Sequence, residues 1–195
     1  MTKSSEIVVR EAEEGDLDRV VGVLRAANVE FETLLSPAFY RAYLANVLDV
    51  RSRLDESQLF VASEGDRIVG AITLYPDASK EAWRWPSDWA GIRTVAVEPS
   101  ARRLGIGRRL VQHCIERSRA LGGNAVCLHT AIFQAAAIVM YERVGFRRAR
   151  EFDCDAGEFV GLHSYEPRIA ALAYLFELSG AKAIAKGGRG SERTR

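Results

Sequence analysis

Between Gly91 and Thr130 the chain reads as strand, loop, helix and strand, and the loop is unusual. "GIRTVAVEP" (91–99) is an apolar strand, halted at Pro99, which has no N–H to give a neighbouring strand. "SARRLGIGRRLV" (100–111) follows, with four arginines set around two glycines. Leu110, Val111, Cys114 and Ile115 then recur at helical spacing, and Leu121-Gly122-Gly123 closes the helix after about Ala120. "NAVCLHT" (124–130) is the next strand. A right-handed crossover makes the two strands parallel neighbours in one sheet.

The remaining segments fit around this unit. "EIVVREA" (6–12) reads as a strand. The stretch 15–28 is a helix with Leu17, Val20, Val21 and Leu24 on one face and Asp16 as its N-cap. Ser36-Pro37 opens a second helix over 36–54, with an apolar stripe of Phe39, Tyr43, Leu44, Val47 and Leu48. Two apolar runs around Glu64-Gly65-Asp66 make 58–76 a hairpin. A short helix over 134–144 ends at Gly145, and 146–153 and 169–178 form the last two strands, joined by a polar loop. The expected fold class is therefore α/β: a mixed sheet of about seven strands flanked by about four helices. One domain is expected over 1–179, with a small, basic, glycine-rich and disordered tail over 180–195.

Composition limits the partners. The 27 lysines and arginines nearly balance the 26 aspartates and glutamates, so any anion site is local, and neither nucleic acid nor an anionic membrane is expected as a partner. Three cysteines (Cys114, Cys127 and Cys154) with no C-x-x-C spacing argue against a disulfide framework or a metal site, and no metal is expected. No stretch suits a signal peptide or a membrane helix, which makes the expected location cytoplasmic.

The loop itself suits an anion. A helix start carries unsatisfied N–H groups and a partial positive charge, and Gly105 and Gly107 let a ligand approach that backbone. The G-x-x-x-x-G-K-[ST] pattern of phosphate loops is absent, and Leu110 breaks the dinucleotide pattern G-x-G-x-x-G. What remains is Arg102-x-x-Gly105-x-Gly107, with "TVAV" (94–97) before it and "MYERVGF" (140–146) after it. This arrangement resembles the GCN5-related N-acetyltransferase (GNAT) superfamily. The resemblance covers the element order over 6–178 and is sharpest over 91–146.

The resemblance implies acetyl-CoA as co-substrate, bound where the two parallel strands splay apart. It implies that the pyrophosphate rests on backbone N–H groups of Arg103, Gly105, Ile106, Gly107 and Arg108. One or two of the four side chains of Arg102, Arg103, Arg108 and Arg109 reach a phosphate, which of them being left open; the others are a solvated face. The pantetheine arm would run beside Val95, Ala96 and Val97. Gln134 stands where relatives commonly have an asparagine that bonds this arm, and its extra methylene lets the contact run through water.

Amine acetylation needs a base for the ammonium, donors for the oxyanion and an acid for the departing thiolate. Tyr141 matches the family tyrosine that serves as the acid; it also fits a packed stripe with Ala137, Ile138 and Val144. His129 holds the strand-end position where many relatives carry a glutamate, which makes it either the base or a structural histidine. Glu98 is a weaker base candidate, and Val97 N–H would face the oxyanion. Cys127 reads as an inert core thiol. On the acceptor side, Glu30, Phe31 and Glu32 fall where the family gates its acceptor, and Trp83, Trp85 and Trp89 cluster in "SKEAWRWPSDWAG" (79–91), either lining the acceptor entrance or capping the core or a dimer contact. The activity implied is acetyl transfer to a small-molecule or peptide amine by direct attack in a ternary complex. The alternatives are a CoA-binding module of the same fold without catalysis, or an acyltransferase using another CoA thioester. A homodimer is compatible with either, and the acceptor is open.

Overall fold

A computed structural model describes residues 6–81, 84–163 and 167–178. Within them the order is β1 (Ile7–Glu11), α1 (Leu17–Asn28), α2 (Pro37–Leu48), β2 (Gln58–Glu64), β3 (Arg67–Tyr75), β4 (Trp89–Val97), α3 (Ile106–Ala120), β5 (Ala125–Ala131), α4 (Ala135–Val144), β6 (Arg147–Arg148), β7 (Cys154–Asp155), α5 (Ala156–Phe159) and β8 (Ala170–Glu177). Trp83 and the tail over 180–195 lie outside the described residues.

The strands form one eight-stranded sheet in the order β1-β2-β3-β4-β5-β8-β6, with β7 also on β8. The β4–β5 pair is parallel and every other pair is antiparallel. This is the mixed α/β sheet expected, with two-residue strands raising the count from about seven to eight.

Side-chain alternation along β2 divides the core into two layers. Phe60 and Ala62 face α3, where Ile106, Leu110, Val111, Cys114 and Ile115 are buried. Leu59 and Val61 face α1 through Leu17, Val20 and Leu24. The sheet is therefore covered on both faces, and only an opening between strands can admit a ligand to its centre.

Two segments differ from expectation for physical reasons. The helix opened by Ser36, whose Oγ accepts from Phe39 N at 3.2 Å, ends at Leu48 rather than near 54, and Val50 then turns into the core with 3% exposure. The strand expected over 146–153 shrinks to Arg147–Arg148. There the Asp153 carboxylate accepts from Arg148 at 2.9 and 2.7 Å and from Ala173 N at 2.8 Å, while Arg148 donates to Ala173 O at 3.0 Å. Side chains thus supply part of the hydrogen bonding that a longer strand would have given β8.

Candidate active site

The opening is made in β4. Its register with β3 runs Ala71↔Ala96 and Thr73↔Arg93, so Thr94 and Val95 together oppose the single residue Ile72. This is a β-bulge. It forces Thr94 to φ 51, a left-handed conformation that a β-branched residue rarely adopts, and its Oγ1 lies 3.0 Å from Thr73 Oγ1. Below the bulge β4 pairs with β5 from Trp89↔Ala125 to Ile92↔Leu128. Above it β5 continues on β8 as far as Ala131↔Ala171, but β4 has left it. The two parallel strands splay, and the β5-facing edge of β4 from Arg93 onward, including Val95, Ala96 and Val97, has no strand partner among the described residues.

The unpaired edge runs toward the start of α3. Gly105 is its N-cap, at φ 76, and no side chain caps the helix. The first backbone bond of the helix is Arg109 N to Gly105 O, at 3.0 Å, which leaves the N–H groups of Ile106, Gly107 and Arg108 without helical acceptors. Arg103 also has positive φ, 66, so the chain enters the helix through a curled turn. A Cβ on Gly107 would stand 3.0 Å from Met140 Sδ and 3.6 Å from Val97 Cγ2, so the missing side chain lets α3 start close against β4 and α4.

The arginines of the loop have different surroundings. Arg102 pairs with Glu30 at 2.9 Å and donates to Ala27 O at 2.9 Å, which ties the loop to the end of α1. Arg109 donates to Ile7 O at 3.2 Å. Arg103 and Arg108 are exposed. Glu98, the weaker base candidate, pairs with Arg67 at 2.6 Å.

A cavity of about 120 Å³ opens between the splayed strands. β4 contributes Arg93, Thr94 and Val95, β5 contributes His129 and Ala131, α4 contributes Ala137 and Tyr141, and α2 contributes Tyr43, Asn46 and Val47. Tyr141 is 5% exposed and packs edge-on against Phe146. Burial pushes its phenol well above the usual range, so it carries its proton at neutral pH. Its place in the packed stripe and its place on the cavity wall are compatible.

Gln134 anchors a polar chain across the cavity. Its Oε1 accepts from Thr130 Oγ1 at 3.0 Å and Ala131 N at 2.9 Å, and its Nε2 donates to the Tyr43 hydroxyl at 3.2 Å. Tyr43 donates in turn to Asn28 Oδ1 at 2.5 Å, and Asn28 donates to Leu24 O at 2.7 Å. The chain links α4 to α1 through α2. Phe31 packs over it with Phe133, ring centroids 4.9 Å apart, so of the three candidates in the α1–α2 connection it is Phe31 that joins the aromatic cluster by the cavity. Glu30 turns to Arg102, and Glu32 is exposed.

His129 lies on the same wall. Its Nε2 donates to Phe152 O at 2.8 Å, and its ring packs beside Trp85 and Phe159. Burial pushes its pKa down to about 4, so the imidazole is neutral at pH 7. Trp85, 3% exposed, stands behind it in a cluster with Cys127, Trp89, Ala149 and Phe152, and does not line the cavity. Burial and the neighbouring Glu81 push the Cys127 thiol far up, which leaves it protonated.

Sequence reasoning misses Glu81, which also lines the cavity. It is 3% exposed, with Oε1 3.6 Å from Arg93 Nη1. Arg93 donates to Asn46 Oδ1 at 2.7 Å and lies over the Phe159 ring. Burial outweighs both nearby arginines, Arg93 and Arg53, and pushes the Glu81 pKa up to about 7. In sequence it is one acid in a polar connection, and nothing local distinguishes it from a solvated one.

The sequence model of the Acetyltransferase (GNAT) family matches residues 20–146. The chain belongs to that family. It is 34% identical over 108 residues to the probable N-acetyltransferase camello of Xenopus tropicalis, covering 54% of this chain and 47% of that protein. It is 28% identical over 135 residues to the IAA acetyltransferase of Azospirillum brasilense, covering 67% and 72%. The chain spans about half the length of the camello relatives from two Xenopus species, 47% and 48%. The fold is similar to that of the PaiA N-acetyltransferase of Thermoplasma acidophilum, solved in complex with coenzyme A, with TM-score 0.67 and 14% identity over 89% of this chain and 99% of that one.

Proposed function

We propose that the chain transfers the acetyl group of acetyl-CoA to a primary amine, by direct attack with both substrates bound. The observation that carries this reading is the continuity of three features: the unpaired edge of β4, the uncapped start of α3 and the cavity lined by Tyr141. A CoA thioester has a matching order of parts: an amide-bearing arm, a pyrophosphate and a reactive acyl end. The curated relatives bear N-acetyltransferase and acetyltransferase names, which supports acetyl as the group and nitrogen as its destination.

In this reading the Val95 and Val97 backbone, with Ala96 between them, pairs with the pantetheine amides in place of a neighbouring strand. The pyrophosphate takes the N–H groups at Arg103, Gly105, Ile106, Gly107 and Arg108, where helix dipole and backbone donors act together. Gln134 keeps its amide spent on Thr130, Ala131 and Tyr43 and so fixes the cavity wall. A backbone N–H beside the bulge donates to the carbonyl oxygen as negative charge develops on it. Tyr141 gives its proton to the departing thiolate. Neutral His129 and Phe31 border the acceptor's approach.

The test is release of free thiol from acetyl-CoA on a panel of ethanolamine, putrescine, L-lysine, L-leucine and a tetrapeptide with a free alanine N-terminus. Release with at least one amine, and a raised Tm with acetyl-CoA alone, is the expected result. A raised Tm without release on any amine favours a binding module, and no rise removes the co-substrate. Larger activity with another acyl-CoA moves the assignment to that thioester.

A further inference from the structure

We infer that Glu81 is the general base of the reaction: it binds the incoming acceptor ammonium at the buried end of the cavity and takes its proton. This assignment rests on the transferase reading and gives to Glu81 the base role that the family resemblance suggests for His129.

The geometry begins with a glycine in the strand. Gly91 lies where β4 still pairs with β5, and a Cβ there would stand 3.0 Å from Glu81 Oε2. The glycine leaves room for a carboxylate against the sheet. Glu81 sits at the end of a single 3₁₀ turn, Ala78–Glu81, in the β3–β4 connection. Its Oε1 lies 3.6 Å from Arg93 Nη1, an ion pair without hydrogen-bond geometry. Oε2 is buried and has no hydrogen-bond partner among the described residues. A buried carboxylate oxygen without a partner is costly, and a cationic N–H donor from a ligand relieves that cost. Asn46 and Phe159 hold Arg93 from the other side, so the arginine is kept beside the carboxylate.

The charged and titratable groups facing Glu81 are Arg93 on β4, Arg53 after α2, Tyr75 on β3, Cys127 on β5 and Cys154 on β7. Tyr75 and both cysteines are held protonated by burial, so Glu81 is the carboxylate of this group and its proton affinity is set by burial against two arginines. A carboxyl group near pKa 7 exchanges protons readily at neutral pH, whereas His129, near 4, holds a proton too weakly to remove one from an ammonium.

The proton balance is closed. One ammonium proton passes to Glu81, and the free amine attacks the thioester carbonyl carbon. The C–N bond forms, the C–S bond breaks, and the thiolate takes the Tyr141 proton. The remaining excess N–H proton restores Tyr141, and Glu81 releases its proton to water after the products leave.

The experiment uses whichever panel amine the native chain turns over and compares it with Glu81→Gln and Gly91→Ala. Glu81→Gln keeps shape and removes the base. Gly91→Ala keeps the carboxylate and displaces it. The expected result is a fall in kcat of at least about 100-fold for Glu81→Gln. The native acid limb near pH 7 disappears in this variant, and its rate climbs only with the free-amine fraction. Gly91→Ala also slows turnover while its acid limb moves. Both variants keep the acetyl-CoA-induced rise in Tm, which separates a base from a structural residue. Full turnover by Glu81→Gln, or an unchanged acid limb, overturns the assignment and leaves the transferase reading intact. Loss of the acetyl-CoA rise in both variants overturns it in favour of a structural role. Absence of turnover by the native chain on every amine overturns both readings.

Discussion

Arg102 and Glu30, 72 residues apart in sequence, pair at 2.9 Å and join the loop before α3 to the end of α1. Sequence reasoning names Arg102 among the loop residues for the co-substrate and Glu30 among those for the acceptor, and it does not foresee that the two side chains pair with one another. Both are partly exposed, at 37% and 49%, so the ion pair alone is worth about 0–1 kcal/mol. The added bond from Arg102 to Ala27 O makes the arginine the more important partner. In a double-mutant cycle, Arg102→Gln is expected to lower Tm more than Glu30→Gln, and the two losses to be less than additive. With Arg102 engaged in this way, Arg102→Gln changes the Kd of acetyl-CoA less than about threefold; a tenfold loss would mean that it leaves Glu30 to hold a phosphate.

The start of α3 gives a prediction that separates conformation from ligand contact. Gly105 sits at φ 76, and a Cβ added there would meet nothing within 4 Å, so substitution is limited by backbone strain and not by space. Gly105→Ala is expected to cost about 1 kcal/mol of stability. Gly105→Asn should cost less, because asparagine tolerates the left-handed region better. Denaturant titrations check the order. Equal losses for the two would show that the strain argument is incomplete.

Much of this architecture is written locally. The α3 stripe, the hairpin turn at Gly65, the parallel crossover and the glycine-led turn into α3 each depend on neighbours in sequence, and each is found where its residues imply. The bulge at Thr94 has no local sign, since threonine favours extended backbone; register with β3 forces it. The dissolution of the strand after Arg148 depends on an arginine–aspartate pair that also serves β8. Glu81 becomes distinctive only when Gly91, Arg53 and Arg93 surround it, and these come from separate segments. Tyr141, by contrast, is legible both as a core residue and as a candidate site residue, and the structure puts it in the core cluster and on the cavity wall.

Tyr141→Phe tests that double position. The ring and its contact with Phe146 survive, and only the hydroxyl is lost. The folded state is expected to keep its Tm within a few degrees and its response to acetyl-CoA, while kcat falls by about 100-fold or more. Activity within about threefold of native on a working amine would remove Tyr141 as the acid and leave it as packing.

Opposite pKa shifts at His129 and Glu81 predict opposite pH dependences of stability. His129 has a folded pKa of about 4 against an ordinary value of 6.5, so between these values the unfolded chain binds more protons. Its contribution is present above about pH 6.5 and is lost as pH falls toward 4. Glu81 has a folded pKa of about 7 against an ordinary 4.5, so in that window the folded chain binds more protons. Its contribution is present below about pH 4.5 and is lost as pH rises toward 7. In the native protein the two slopes oppose one another between about pH 4.5 and 6.5. Phe152 O, Asp153, Arg93 and Arg148 are among the groups that shape the titration of His129, and none of these is removed by replacing Glu81. Relative to native, Glu81→Gln should therefore gain Tm as pH rises from about 5 to 7, because it lacks the carboxylate that must ionise in a dry site. His129→Gln should show the reverse, gaining relative to native as pH falls from about 6 to 4. Thermal melts of the three proteins across this range read both slopes without any acceptor, and parallel curves for all three would show that neither group titrates where its burial requires.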